Sequence, residues 1–205
     1  MAAVAETPAG ADAHLIERRT GGVTLLSGGF LEVRRDTVAL PDGSIASREF
    51  IQHPGAVAVI PILDDGRLVL VRQHRHPVGK VLLEWPAGKL EAGEPQLTCA
   101  VRELQEETGY TACEWAYAGE IHNAAAYSTE SIWLWFARGL VAGAARPDQG
   151  EFVETVLLSE ADLESLDLRG ALPDVKTLIG LQWLRQSRSG SRPCAWRSAP
   201  AAAVI

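Results

Sequence analysis

Apolar residues recur at helical spacing most clearly around one segment. Leu97, Ala100, Val101 and Leu104 fall at i, i+3, i+4 and i+7, while Glu103, Glu106 and Glu107 share another face. Pro95 suits the first helical turn, where its missing N–H would have lacked a partner. Gly109 suits the left-handed position just past a helix end. The pattern predicts a helix over Pro95 to Thr108, with aliphatic side chains against a core and carboxylates toward a site.

Elsewhere the pattern is that of strands. VTLLS from Val23, FLEVRRDTVAL from Phe30 and SIASREFI from Ser44 read as short strands, with a hairpin turn at Asp42-Gly43. His53-Pro54-Gly55 interrupts them. AVAVIPIL from Ala56 then reads as a buried strand, followed by a turn at Asp64-Asp65-Gly66, RLVLVRQ from Arg67 and VLLEWPAG from Val81. Beyond the helix, WAYAGEIH, SIWLWFARG and VETVLLS are further strands, ADLESL a short helix, and Pro173 to Gln186 a terminal helix. Strands interleaved with helices predict an α/β fold, a sandwich around a mixed β-sheet. The expected organisation is a flexible N-terminus at 1–20, a small antiparallel β subdomain at 21–53, a main domain at 54–187 and a flexible tail at 188–205.

Composition narrows the function. The 205 residues carry 26 acidic against 19 basic side chains, a net charge of -7. That balance argues against a sequence-independent nucleic-acid surface, which needs clustered Lys and Arg. Three cysteines, odd in number and without a CxxC pair, point to neither a disulfide framework nor a zinc site. No run of eighteen apolar residues and no basic leader before an apolar stretch occur, so the expected location is the cytoplasm, away from membranes. The five histidines are scattered without carboxylate or Cys companions at ligand spacing and are read as non-ligands. The tryptophans are read mostly as core or interface residues, with base stacking an open alternative for Trp85 beside the box strand.

The acidic helix face carries the chemistry. Three glutamates at i, i+3 and i+4 repel one another, so a cation is expected among them. Oxygen donors without Cys or His select Mg²⁺, with Mn²⁺ able to substitute. Mg²⁺ usually takes one or two carboxylates, several waters and substrate phosphates, so the spacing predicts a metal-held pyrophosphate.

From Gly88 to Tyr110 the chain reads GKLEAGEPQLTCAVRELQEETGY. Gly88, Glu94, Arg102, Glu103, Glu106, Glu107 and Gly109 stand at the spacing of the Nudix box, with Leu104 and Tyr110 in its apolar slots. Seven fixed identities arise by chance below about once in a million tries. The chain resembles the Nudix hydrolases, and SREFIQHPGAVAVIPIL with LVLVRQHRHPVGKVLLEWPAGKLEAGE is similar to their ADP-ribose pyrophosphatase branch.

That resemblance implies an α/β/α Nudix sandwich that cleaves ADP-ribose, or a related nucleoside diphosphate sugar, to AMP and ribose 5-phosphate. It also implies a homodimer that exchanges its N-terminal β-layers. By position it makes Glu103, Glu107 and the Ala87 carbonyl metal ligands, with Glu106 in the same cluster and counted among the catalytic residues. Arg102 orients a glutamate, Glu94 fixes the preceding loop, and Gly88 and Gly109 permit tight turns. Arg75 and Glu84 match positions used around the nucleotide, Arg48 one that reaches from the partner subunit, and Glu130 the general base.

Ala124-Ala125-Ala126 stand where the branch carries Ser-Pro-Gly. This departure keeps a second reading open, a Nudix hydrolase for another sugar nucleotide or a dinucleoside polyphosphate. A non-catalytic ADP-ribose sensor is a third reading, opposed by the complete set of box carboxylates.

Overall fold

The computed structural model describes residues 11–29 and 31–199. Two compact units divide the chain: Met1–His53 with Ala124–Glu130, and Pro54–Asn123 with Ser131–Ile205. Most of the N-terminal segment expected to be flexible lies outside the described residues, as does Phe30 at the head of its predicted strand.

The first unit is a three-stranded antiparallel sheet of β1 (Arg18–Ser27), β2 (Glu32–Ala39) and β3 (Ile45–Gln52), in that order. Strand β1 begins inside the segment read as a flexible terminus, because its pairing with β2 runs from Arg18 opposite Ala39 to Ser27 opposite Glu32. The predicted turn joins β2 to β3: Gly43 has a φ of 86° and donates to Leu40 O at 3.0 Å, and Asp42 accepts the Ser44 N–H at 2.9 Å.

The second unit is built on a mixed sheet. Its strands are β4 (Ala56–Ile62), β5 (Leu68–Arg75), β6 (Lys80–Glu84), β7 (Ala87–Lys89), β8 (Tyr110–His122), β9 (Ser131–Ala142), β10 (Val153–Leu158) and β11 (Trp196–Ser198). The order is β10-β5-β4-β9-β8-β11, with β6 on β5 and β7 on β4, and β4 pairs with β9 in parallel. The helices are α1 (Gln96–Thr108), α2 (Glu160–Leu168) and α3 (Val175–Arg188).

Alternation along β4 divides the core into two clusters, as the period of two in a strand requires. Val57 and Val59 pack with Leu97, Cys99, Ala100, Val101 and Leu104 of α1. Ala58 and Ile60 pack with Leu68, Leu70, Trp85 and the α3 residues Leu181 and Leu184. Full burial of a side chain such as Leu104 stabilises by about 2 kcal/mol, so this stripe fixes the rotation of α1 and with it the direction of its glutamates.

Two local readings need correction. The run VLLEWPAG is two strands, β6 and β7, because Pro86 has no N–H to donate; instead its carbonyl accepts from Val59 N at 2.8 Å. The stretch read as a flexible tail contains β11, antiparallel to Glu114–Ala116 of β8. Two arginine-aromatic contacts hold it: the Arg138 guanidinium lies 4.0 Å from the Trp196 ring and that of Arg197 5.0 Å from Trp135.

Candidate active site

Helix α1 starts after Pro95, which sits at the N-cap in extended geometry. The helix stops at Gly109, whose φ of 75° lies in the left-handed region and whose N–H returns to Gln105 O. A side chain there would meet the backbone of Gly143 and Ala145 at 2.6 Å, so glycine is required twice over.

Arg102 is the hub of the helix face. Its Nε and Nη2 donate to the two oxygens of Glu94, each at 3.0 Å, and Nη1 donates to Glu103 at 2.8 Å and Glu106 at 3.0 Å. Nη2 also reaches the Lys89 carbonyl at 3.1 Å. Glu94 accepts the Glu91 N–H at 3.0 Å, which ties the loop before the helix to the same cation. These carboxylates raise the Arg102 pKa, with the hydrogen bond to Glu94 the largest cause. Arg102 therefore positions three glutamates and is charged at every accessible pH.

Glu103 and Glu107 are buried. Burial pushes Glu103 up to about 7 against the opposing pull of Arg102, and Glu106 and Glu151 add to the rise. Burial likewise pushes Glu107 up to about 8, although the Ala87 N–H donates to it at 3.0 Å. Gly88 lies beside this pair in β7, and its role differs from the turn expected for it. Its φ is not positive, and a Cβ there would collide with the Glu103 carboxylate. The glycine makes room for an acid.

Among the described residues, no three His, Cys, Asp or Glu side chains are gathered in metal-holding geometry. Glu103 and Glu106 are drawn to Arg102, and Glu107 to the Ala87 amide. The donor set nevertheless fits Mg²⁺: it is all oxygen, and two of its carboxylates ionise with difficulty unless a cation joins them.

Arg75 and Glu84 meet in a bidentate pair, Nε to Oε1 at 2.8 Å and Nη2 to Oε2 at 2.7 Å. Burial would raise the Glu84 pKa, but Arg75 and Lys176 outweigh it and hold the carboxyl below its usual value. Trp85, read as a core or interface aromatic with base stacking as an alternative, is fully buried and donates Nε1 to Thr177 O at 3.1 Å, which leaves no face for a base.

In the first unit, Arg48 is ion-paired with Glu17. The segment Ala124–Glu130 is laced to β3: Ile51 N donates to Tyr127 O at 2.8 Å and Thr129 N to Ile51 O at 3.0 Å. Ala124 forms the base of a turn, accepting from both Tyr127 N and Ser128 N, and none of the three alanines has positive φ. Glu130 Oε1 lies 3.5 Å from His53 Nε2, so this histidine has a carboxylate companion that its place in the sequence did not suggest.

Three residues of the site escaped the sequence reading. Glu151, in the loop before β10, is close enough for its charge to raise both Glu103 and Glu107. Gln73 makes a long contact of 3.5 Å to Glu107 Oε1. Lys176, at the start of α3, joins Glu84 from 92 residues away. Only Gln73 had a legible signal: it alternates with Arg75 on a strand whose far end turns polar.

Comparisons with known proteins identify the family. The NUDIX domain profile matches residues 52–178. An ADP-ribose pyrophosphatase of Bacillus subtilis is 34% identical over 173 residues, 83% of this chain and 94% of that protein. A methanol dehydrogenase activator of Bacillus methanolicus is 37% identical over 78% of this chain and 88% of its own. The solved structure of an ADP compounds hydrolase superposes with a TM-score of 0.76 at 21% identity, covering 85% of this chain and 95% of that one, a likeness of fold. With an intact box from Gly88 to Tyr110, a matching fold and relatives of this span, the chain belongs to the Nudix hydrolase family.

Proposed function

We propose that this enzyme hydrolyses ADP-ribose to AMP and ribose 5-phosphate with Mg²⁺ bound. The observation that carries the substrate is the similarity to the Bacillus subtilis ADP-ribose pyrophosphatase along nearly its whole length. The buried pair Glu103 and Glu107, with Glu106 and the carbonyl of Ala87, would hold the metal. When bound, Mg²⁺ would polarise the bridging region of the pyrophosphate and lower the pKa of an attacking water.

Water oxygen bonds to one phosphorus, the bond from that phosphorus to the bridging oxygen breaks, and the bridging oxygen leaves on the other phosphate. A carboxylate accepts the water's proton. Glu130 holds that role by family resemblance, whereas Glu151 is supported by the reach of its charge to Glu103 and Glu107. Arg75 would contact the nucleotide, whereas Glu84, expected to do so too, is buried with both oxygens engaged and would act only by holding Arg75. Arg48 would reach from the partner subunit of a cytoplasmic homodimer.

The test is product analysis with Mg²⁺: AMP and ribose 5-phosphate are the expected products. Cleavage of other nucleoside diphosphates without ADP-ribose turnover would transfer the assignment to the second reading, for which the Ala124–Ala126 turn is the motive. Sedimentation should give a dimer at micromolar concentration; a monomer there would remove the subunit exchange.

Glu151→Gln is expected to lower kcat on the order of 10²–10³-fold, the size of a lost general base, and Glu130→Gln much less. The opposite ranking, read from the pH dependence of kcat, would restore Glu130 as the base.

A further inference from the structure

Glu84 is 1% exposed, yet both of its oxygens are engaged by cations. Arg75 approaches side-on through Nε and Nη2, and Lys176 donates to the same Oε2 that Nη2 reaches. Lys176 is itself 8% exposed and also donates to Asp174 Oδ1 at 2.9 Å. Asp174 is immobilised in turn, since its other oxygen caps α3 by accepting the Thr177 N–H at 2.9 Å. An unbroken chain of charged contacts thus runs from the first turn of α3 to the guanidinium of Arg75.

Stability alone is a poor reason for this arrangement. Desolvating an ammonium and a carboxylate costs about as much as their attraction returns, so buried pairs are weak sources of stability. Their better-attested value is orientation. Arg75 gains it: its side chain is 39% exposed, long and flexible, and would otherwise sample many rotamers. The clamp consumes Nε and one edge of Nη2, and Nη1 has no protein partner among the described residues. Arg75 also stands near enough to Glu107 for the two charges to interact.

We infer that Lys176 is a positioning residue for substrate: through the Glu84 carboxylate it holds Arg75 in one orientation, with Nη1 presented to an anionic group of the nucleotide. The inference rests on the reading of Arg75 as a substrate contact. A lysine at the head of a terminal helix, remote in sequence from the box, thereby becomes part of the nucleotide-binding apparatus.

The experiment compares wild type, Lys176→Met, Arg75→Ala and the double variant, each folded by circular dichroism, with ADP-ribose and Mg²⁺. Lys176→Met should raise KM about tenfold, the equivalent of one charge-assisted hydrogen bond, with kcat within about twofold. In the Arg75→Ala background the same replacement should leave KM unchanged, because the residue it positions is gone. An equal rise in both backgrounds, or none in either, overturns the inference while leaving Arg75 as a substrate contact if Arg75→Ala alone raises KM. An Arg75→Ala enzyme with wild-type KM removes that reading and the inference together. If wild type does not turn over ADP-ribose, the proposed function fails, and calorimetric titration of the same four proteins with AMP decides the inference by the same pattern in Kd.

Discussion

Glu107→Gln is expected to lower turnover about a hundredfold or more while making the metal-free protein more stable above pH 8. Glu107 is buried, and its ionised form is supported by the Ala87 N–H and opposed by Glu103 and Glu151. A glutamine side chain keeps an acceptor for the Ala87 amide but carries no charge with which to hold Mg²⁺. Loss of about 3–4 kcal/mol of transition-state stabilisation corresponds to a fall in kcat on the order of 10²–10³-fold. The same change removes a buried charge that costs stability when no cation is present. Product release and thermal melting with chelator measure the two effects. Retention of more than a tenth of wild-type turnover would sink the assignment of Glu107 as a metal ligand.

The second large effect is a pH dependence of the metal-free enzyme. Burial raises Glu103 to about 7 and Glu107 to about 8, from an ordinary 4.5. Between those values the folded protein binds protons that the unfolded chain has released, so unfolding free energy falls as pH rises. The favourable contribution is complete below about pH 4.5 and is lost by about pH 8. Its size is on the order of a few kcal/mol, because both groups lie out of water. A bound Mg²⁺ needs the ionised carboxylates, so it should bind more tightly as pH rises and flatten the profile. Thermal melts from pH 5 to pH 9, with chelator and with excess Mg²⁺, read this directly. A chelated protein whose stability is constant across that window would show that the two carboxylates ionise as if exposed.

The box helix was the most legible part of the molecule. Its apolar stripe, its glutamates and its terminal Gly109 all depend on residues within one or two turns, and local spacing encodes local geometry. The β-strands were readable for the same reason, since alternation and the turn at Asp42-Gly43 are short-range signals. Where β11 pairs was not readable, because Trp196 and Arg197 gain their value from Phe136, Arg138 and Trp135 on another strand. The base-stacking alternative for Trp85 falls for a related reason: beside the box in sequence, the residue is sealed beneath α3 in space.

By itself the sequence determined the family, the α/β class and the acidic helix face, because these follow from identities at fixed spacing. Only the tertiary structure decided which acids are buried and therefore hard to ionise, that Gly88 clears space for Glu103, that Glu151 acts on the pair, and that Lys176 clamps Glu84. Each of these depends on which distant segments exclude water from a side chain or approach it closely, and such proximity leaves no periodic trace along the chain.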